Sequence, residues 1–220
     1  MSENIDTKNK HLTEIFAAVG NEYGYDSVNA EFMAFSEFKV TWQRSYKWAD
    51  FRVSDYLEDA PESVITELAE SLFKKIRGDE SAPNKELKKF VTGKTFANEH
   101  RPIYIARKNY LDTDQTPLKR VCKKYGIKAD NVVLSAYDGD YTHKAAGCSV
   151  LMRVIGISDT LLKENAPESV IDFVVYHELQ HIIIGYNPER DTTEEVAEAD
   201  EKFDGYEDAK QWMRTHSLYV

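Results

Sequence analysis

The sequence predicts an α+β fold, with a small antiparallel or mixed sheet packed on one central buried helix and an N-terminal α/β half joined to it. Three observations carry this. Between Pro167 and Ile184 the chain is apolar on nearly every side of a helix, through Val170, Ile171, Phe173, Val174, Val175, Leu179, Ile182, Ile183 and Ile184, and a helix apolar all round belongs in an interior. Short runs rich in aromatic and β-branched residues predict strands at Phe35 to Val53, Val132 to Ala136 and Ser149 to Ile157. A local pattern also occurs twice. Ser54-Asp55-Tyr56-Leu57 followed by Ala60-Pro61-Glu62-Ser63-Val64-Ile65 returns as Ser158-Asp159-Thr160-Leu161 followed by Ala166-Pro167-Glu168-Ser169-Val170-Ile171. Both copies read as a strand end, a loop and a proline-started helix, which favours a duplicated unit with the N-terminal copy degenerate.

In chain order, residues 1–10 read as a flexible tail, and a short helix from Leu12 to Val19 stops at Gly20 and Asn21. After the Phe35 to Val53 strands, a helix runs from Pro61 to about Ile76. The charged stretch 79–89 with Pro83 reads as a loop or hinge. Thr116-Pro117 starts a helix whose stripe is Leu118, Val121, Cys122 and Tyr125, and Gly126 ends it. Asp138-Gly139-Asp140 is the turn signal between the next two strands. The long helix follows, then a helical region over 192–214. These elements divide the chain into the tail at 1–10, an N-terminal α/β region at 11–89, and a region at 90–220 built on the long helix.

The chain has 220 residues, 42% of them hydrophobic and 30% charged, with 13 Tyr and 10 Phe, which is a globular composition with ample core material. Its net charge of −10 argues against bulk attraction to nucleic acid. One basic stretch, with Arg101, Arg107, Lys108, Lys119, Arg120, Lys123, Lys124 and Lys128, reads as a solvated face. Cys122 and Cys148 match no metal or redox spacing, so a reducing compartment is expected. The polar opening MSENIDTKNKH predicts no secretory leader, and no apolar run reaches membrane-spanning length. The expected location is cytoplasmic, with no membrane partner.

His177-Glu178-Leu179-Gln180-His181 carries the chemistry. Imidazoles four residues apart lie on one helix face, one turn from each other, and both can reach a Zn²⁺ at about 2.0–2.1 Å. Glu178 is then the general base, hydrogen-bonded to a water held at the metal. An ionised carboxylate on so apolar a helix costs several kcal/mol of desolvation unless something compensates it. On the duplicate's alignment, His177 falls on Ser71 and His181 on Lys75, so the first copy has no metal pair. A catalytic zinc needs a third protein ligand. If 192–203 is helical with Val196, Ala199 and Phe203 inward, the candidates are Asp191, then Glu195, then Asp200. Tyr186, Tyr206 and His216 are candidate donors to an oxyanion.

The block from Ile157 to Leu161 and from Ala166 to His181 resembles the strand–loop–helix block of SprT-like and YgjP-like zinc metallopeptidases, in which a hydrophobic helix bears the two histidines. The segment Asp191-Thr192-Thr193-Glu194, then Phe203-Asp204-Gly205-Tyr206-Glu207-Asp208-Ala209 and Trp212, resembles their C-terminal helix. The resemblance covers about 130–213. It implies a zincin-like fold for 90–220, a Zn²⁺ cofactor, a peptide or protein substrate and peptide-bond hydrolysis. Relatives usually carry a third zinc-binding histidine where this chain has Asp191, or Thr192 in a register shifted by one. Two other readings follow from the same residues. One is a metal-stabilised interaction module with weak or no turnover. The other is a protease acting on nucleic-acid-bound proteins, against which stand the net charge and the lack of a cysteine-rich DNA-binding module.

Overall fold

The computed structural model describes residues 4–79, 84–139, 143–187 and 192–220. It is a mixed α+β protein that divides into two compact units, Met1–Gly93 and Lys94–Val220.

In the first unit, helix α1 (Ile5–Glu22) leads into strands β1 (Ser27–Met33), β2 (Val40–Arg44) and β3 (Trp48–Ser54), a short 3₁₀ turn at Asp55–Leu57, then helices α2 (Glu62–Arg77) and α3 (Lys85–Val91). The sheet order is β1-β3-β2, with β1 parallel and β2 antiparallel to β3. Alternation along β3 buries Ala49, Phe51 and Val53 and exposes Trp48, Asp50 and Arg52. Phe51 meets Phe16 of α1 and Phe73 of α2, at ring centroids 4.9 and 5.2 Å apart, which fixes the core between sheet and helices.

The second unit opens with helix α4 (Lys94–Arg107), the two-residue strand β4 (Leu111–Asp112) and helix α5 (Thr116–Tyr125). Strands β5 (Val133–Tyr137), β6 (Ala146–Ser149) and β7 (Val154–Ser158) follow, then helices α6 (Thr160–Lys163), α7 (Glu168–Ile184), α8 (Thr193–Asp200) and α9 (Tyr206–Thr215). The sheet order is β4-β5-β7-β6, with β5 parallel to β7 and the other neighbours antiparallel. Every residue of the inner strand β7 is buried. Helix α7 is the hub: it packs on β6 and β7 and takes α5, α8 and α9 against its other sides. Phe173, Tyr176 and Phe203 join Tyr125 in an aromatic layer, with centroids 4.7 to 5.5 Å apart.

The repeated sequence pattern has a topological counterpart. From α5 onward the second unit repeats the order of the first: each run is helix, strand, strand, strand, short helical turn, helix, and in each the third strand of the run lies between a parallel first strand and an antiparallel second one. Ser54 and Ser158 end the third strands, each fully buried. Pro61 and Pro167 cap the following helices with nearly identical backbones, φ −54° with ψ 147° and φ −54° with ψ 148°. Leu72, at the position that Glu178 holds in the second unit, is buried.

Several expectations are corrected. The N-terminal stretch is not a frayed tail to residue 10, because α1 begins at Ile5. Asn4 caps it by accepting from the Asp6 N–H, and Asn9 and Thr13 side chains bond the β1 backbone at Phe32 and Ala30. Strand β1 lies ahead of the expected strand region. Part of the expected 79–89 loop, from Lys85, is helical, while residues 80–83 lie outside the described set. Helix α4 had no counterpart in the sequence reading. Of the expected strand Ser149 to Ile157, Ser149 ends β6, residues 150–153 form a turn, and Val154 begins the antiparallel β7. The 192–214 helix is two helices, broken where Gly205 takes φ +89°. Within the expected turn, Asp140 is outside the described residues, and the Gly139 N–H donates to Asp159 at 3.0 Å.

Gly20 does not stop α1. It lies within the helix, where an added Cβ would come within 2.6 Å of Val28 Cγ2 and 2.9 Å of the Phe73 ring. The residue is therefore a close-packing position. Gly20→Ala gains about 1 kcal/mol in helix propensity, yet overpacking of about 1–3 kcal/mol should outweigh it. Urea denaturation should show a lowered midpoint, and an unchanged or raised one would mean that Val28 and Phe73 give way freely.

Candidate metal centre

Helix α7 carries the expected motif in its second half. Its first turns are fixed from α5. The Arg120 Nε donates to Asp172 Oδ2 at 2.7 Å, a second guanidinium N–H donates to Asp172 Oδ1, and Nη1 pairs with Glu168 at 3.0 Å. The bond to Asp172 is also the main reason the Arg120 guanidinium is held above its ordinary range. This fork satisfies one buried carboxylate of α7. The second, Glu178, is 3% exposed and lies between the two histidines in the sequence. Val174, Val175, Leu179 and Ile182 are buried around it, whereas Ile183 is half-exposed, so the apolar surface of the helix is less complete than its composition suggests.

His177 and His181 face each other one turn apart, with ring centroids 5.1 Å apart. The His177 Nδ1 lies 2.8 Å from Asp200 Oδ2, at the C-terminal end of α8, with both side chains largely buried. A carboxylate receiving the Nδ1–H fixes that tautomer and leaves the Nε2 lone pair for another partner. Burial lowers the pKa of His181 below its ordinary range, which favours the neutral, ligating imidazole; Glu178 and Asp200 pull it upward, while His177 and Lys144 act with burial. Asp200 Oδ1 is buried and has no hydrogen-bond partner among the described residues. The oriented imidazole and the second one beside it are two donors of the kind zinc takes.

The third position is not settled among the described residues, where no group of three His, Cys, Asp or Glu side chains converges on one point. Asp191, the first candidate, lies outside the described residues. Glu195 is partly buried on α8, with Oε2 turned inward, while Glu194 and Glu198 face solvent as their helical positions require. Asp200, the last of the three candidates, is placed with its Oδ2 against Nδ1 of His177. The sequence signal existed: Asp200 lies four residues after the buried Val196, on the inner side of an amphipathic turn. What the sequence lacked was the angle at which α8 crosses α7.

The candidate oxyanion donors separate. His216 stacks on Trp212 with centroids 3.8 Å apart, and its Nδ1 lies 2.8 Å from the Trp212 carbonyl. Tyr206 Oη accepts from Lys210 at 2.7 Å. Burial raises the Tyr186 phenol above its ordinary range. Tyr137, unremarked in the sequence, belongs to the same neighbourhood as the motif. Burial chiefly, then Tyr110, Glu178, Tyr219 and Asp159, push its phenol well up. The basic stretch is also more than a solvated face. Arg101 donates to the Met152 and Asn131 carbonyls, Arg120 clamps α7, and Lys124 bonds Asp204. A separate groove of about 640 Å³ lies in the first unit, apart from the His177–His181 pair of the second, floored by Leu12, Ile15, Leu57 and Ile65 and bordered by His11 and the Lys8–Asp59 pair. No helix of the described residues is long and apolar enough to cross a membrane. Comparisons with protein-family models, with curated proteins and with solved structures give no match to this chain.

Proposed function

We propose that the second unit is a zincin-like, zinc-dependent metallopeptidase of the SprT-like and YgjP-like kind. The observation that carries this reading is the His177 Nδ1 contact to buried Asp200, because it orients one imidazole of a pair already spaced for a single ion. His177 and His181 would hold the metal. Zinc bound there would supply a Lewis acid for the scissile carbonyl and a water acidified towards neutrality. Glu178 takes the proton of the attacking water and passes it to the departing amine. Asp200 keeps His177 in its ligating tautomer, and the apolar wall of α7 limits bulk water. The test is elemental analysis of protein purified without a metal-affinity tag, with about one zinc per chain expected, alongside hydrolysis of an unfolded casein substrate. Protein that neither retains zinc nor binds it on titration would end the reading.

A second reading, a metal-stabilised interaction module with little turnover, is favoured by the first unit. There the same strand pairing and proline cap lead to Ser71, Leu72 and Lys75 in place of His177, Glu178 and His181. We read this unit as a duplicate of the second that has lost its site, so the fold persists in this chain without the chemistry.

A further inference from the structure

After α9 the chain turns at Ser217, which takes φ +56°, and comes back to the sheet. The Tyr219 N–H donates to the His143 carbonyl at 2.9 Å, and the Ala145 N–H donates to the Tyr219 carbonyl at 2.7 Å, setting Tyr219 opposite Lys144 in parallel. The Ala145 carbonyl accepts from the Ser158 N–H of β7 at 2.8 Å. Residues 143–145 therefore lie between β7 and the returning segment, which makes a single bridge on the outer side of the lead-in to β6. Leu218 is buried in the core built on α7, whereas Tyr219 is 57% exposed.

This edge lies against the helix that carries His177 and His181. Strand β6 packs directly on α7. The Tyr137 Oη donates to the Lys144 carbonyl at 2.7 Å, and the Lys144 side chain runs over β6, where a Cβ on Gly147 would come within 3.1 Å of Nζ.

An extended peptide added to a sheet edge needs the outward N–H and C=O groups of the edge strand. The returning segment already uses the Ala145 N–H and the His143 carbonyl. We propose that residues 217–220 form a self-bound segment that occupies residues 143–145, where the β6 edge begins alongside α7, and that it must leave before an extended peptide can pair along that edge from His143 onward. This rests on the peptidase reading of the second unit. The Ser217 and Leu218 N–H groups donate back to the Arg214 and Met213 carbonyls at 3.1 and 2.8 Å, and Val220 packs beside Leu218 on the core, so the two bonds to His143 and Ala145 are what must open, and such contacts open locally without global unfolding.

The test is fluorescence polarisation of a fluorescein-labelled peptide of alternating valine and threonine, on the full chain carrying Glu178→Gln so that turnover does not intervene. Adding Tyr219→Pro removes the N–H given to His143 while leaving Leu218 in the core, and Kd is expected to fall about fivefold, the worth of one net backbone hydrogen bond. Lys144→Cys with Tyr219→Cys, in a Cys122→Ala and Cys148→Ala background, should lock the segment when oxidised, weaken binding, and recover on reduction. An unchanged Kd in both variants overturns the proposal. Hydrolysis by the chain with Glu178 intact is read separately. Tightened binding without hydrolysis keeps the segment proposal and sinks the peptidase reading, and hydrolysis with unchanged Kd does the reverse.

Discussion

Replacing Glu178 by glutamine is expected to cut peptide-bond hydrolysis by about two to four orders of magnitude, the usual contribution of a positioned general base. Glutamine keeps the size and hydrogen-bonding reach of the side chain but takes no proton. Glu178 is 3% exposed on the central helix, next to His177 and three residues before His181, so the substitution changes little packing. Zinc content should stay the same, and the melting temperature should hold or rise, because an imperfectly compensated buried charge is destabilising. The measurement is a casein digestion series with elemental analysis of the same samples. Equal cleavage by both proteins would assign the activity to another group or to a contaminant. Zinc in both with cleavage by neither would move the interaction-module reading to the front.

What the sequence made legible was the part written in local signals. A proline at a helix start, an all-round apolar helix and a pair of histidines one turn apart are short-range facts, and α7 begins and ends where they place it. The duplicated pattern around Pro61 and Pro167 extends into a shared pairing scheme that no periodicity could reveal, since strand order is a long-range property. Gly20 and β1 show the opposite case. A glycine in a helix and a strand starting at Ser27 both have weak local signals, and each is decided by its partner: Phe73 and Val28 around the glycine, β3 along the strand.

The candidate site divides along the same line. His177, Glu178 and His181 share one helix, so their mutual placement follows from the helical repeat. Asp200 comes from α8, and whether its carboxylate becomes a direct ligand or an outer support depends on how far it stands from which nitrogen. Spacing cannot distinguish 2.8 Å at Nδ1 from a bond on Nε2. Arg101 and Arg120 were legible as charge but not as structure, because their partners, the Met152 carbonyl and Asp172, are 51 and 52 residues away.

The Asp200 contact leads to the second large effect. His177→Ala should strip zinc from the purified protein, because two protein donors are the minimum this helix offers and one imidazole cannot retain the ion through dialysis. The melting temperature should fall somewhat without zinc, because the buried Asp200 carboxylate loses its partner, and fall further relative to the parent when zinc is supplied, since binding to the folded chain adds to stability by mass action, about 2.7 kcal/mol at a metal concentration one hundred times Kd. Asp200→Asn should weaken zinc by about ten- to a hundredfold, the usual cost of losing an outer carboxylate. Asparagine can still accept from the His177 Nδ1–H through its carbonyl oxygen, so it should bind better than Asp200→Ala, which leaves the ring unheld. Competition with a chromogenic chelator gives the affinities. Nitrogen NMR of the imidazoles gives the signature that a purely structural role would not move: His177 with its proton on Nδ1 in the parent and in Asp200→Asn, and a mixture of tautomers in Asp200→Ala. Should all three Asp200 forms bind zinc equally and show one tautomer, the carboxylate would be a packing contact, and the orientation of His177 would have to come from α7 alone.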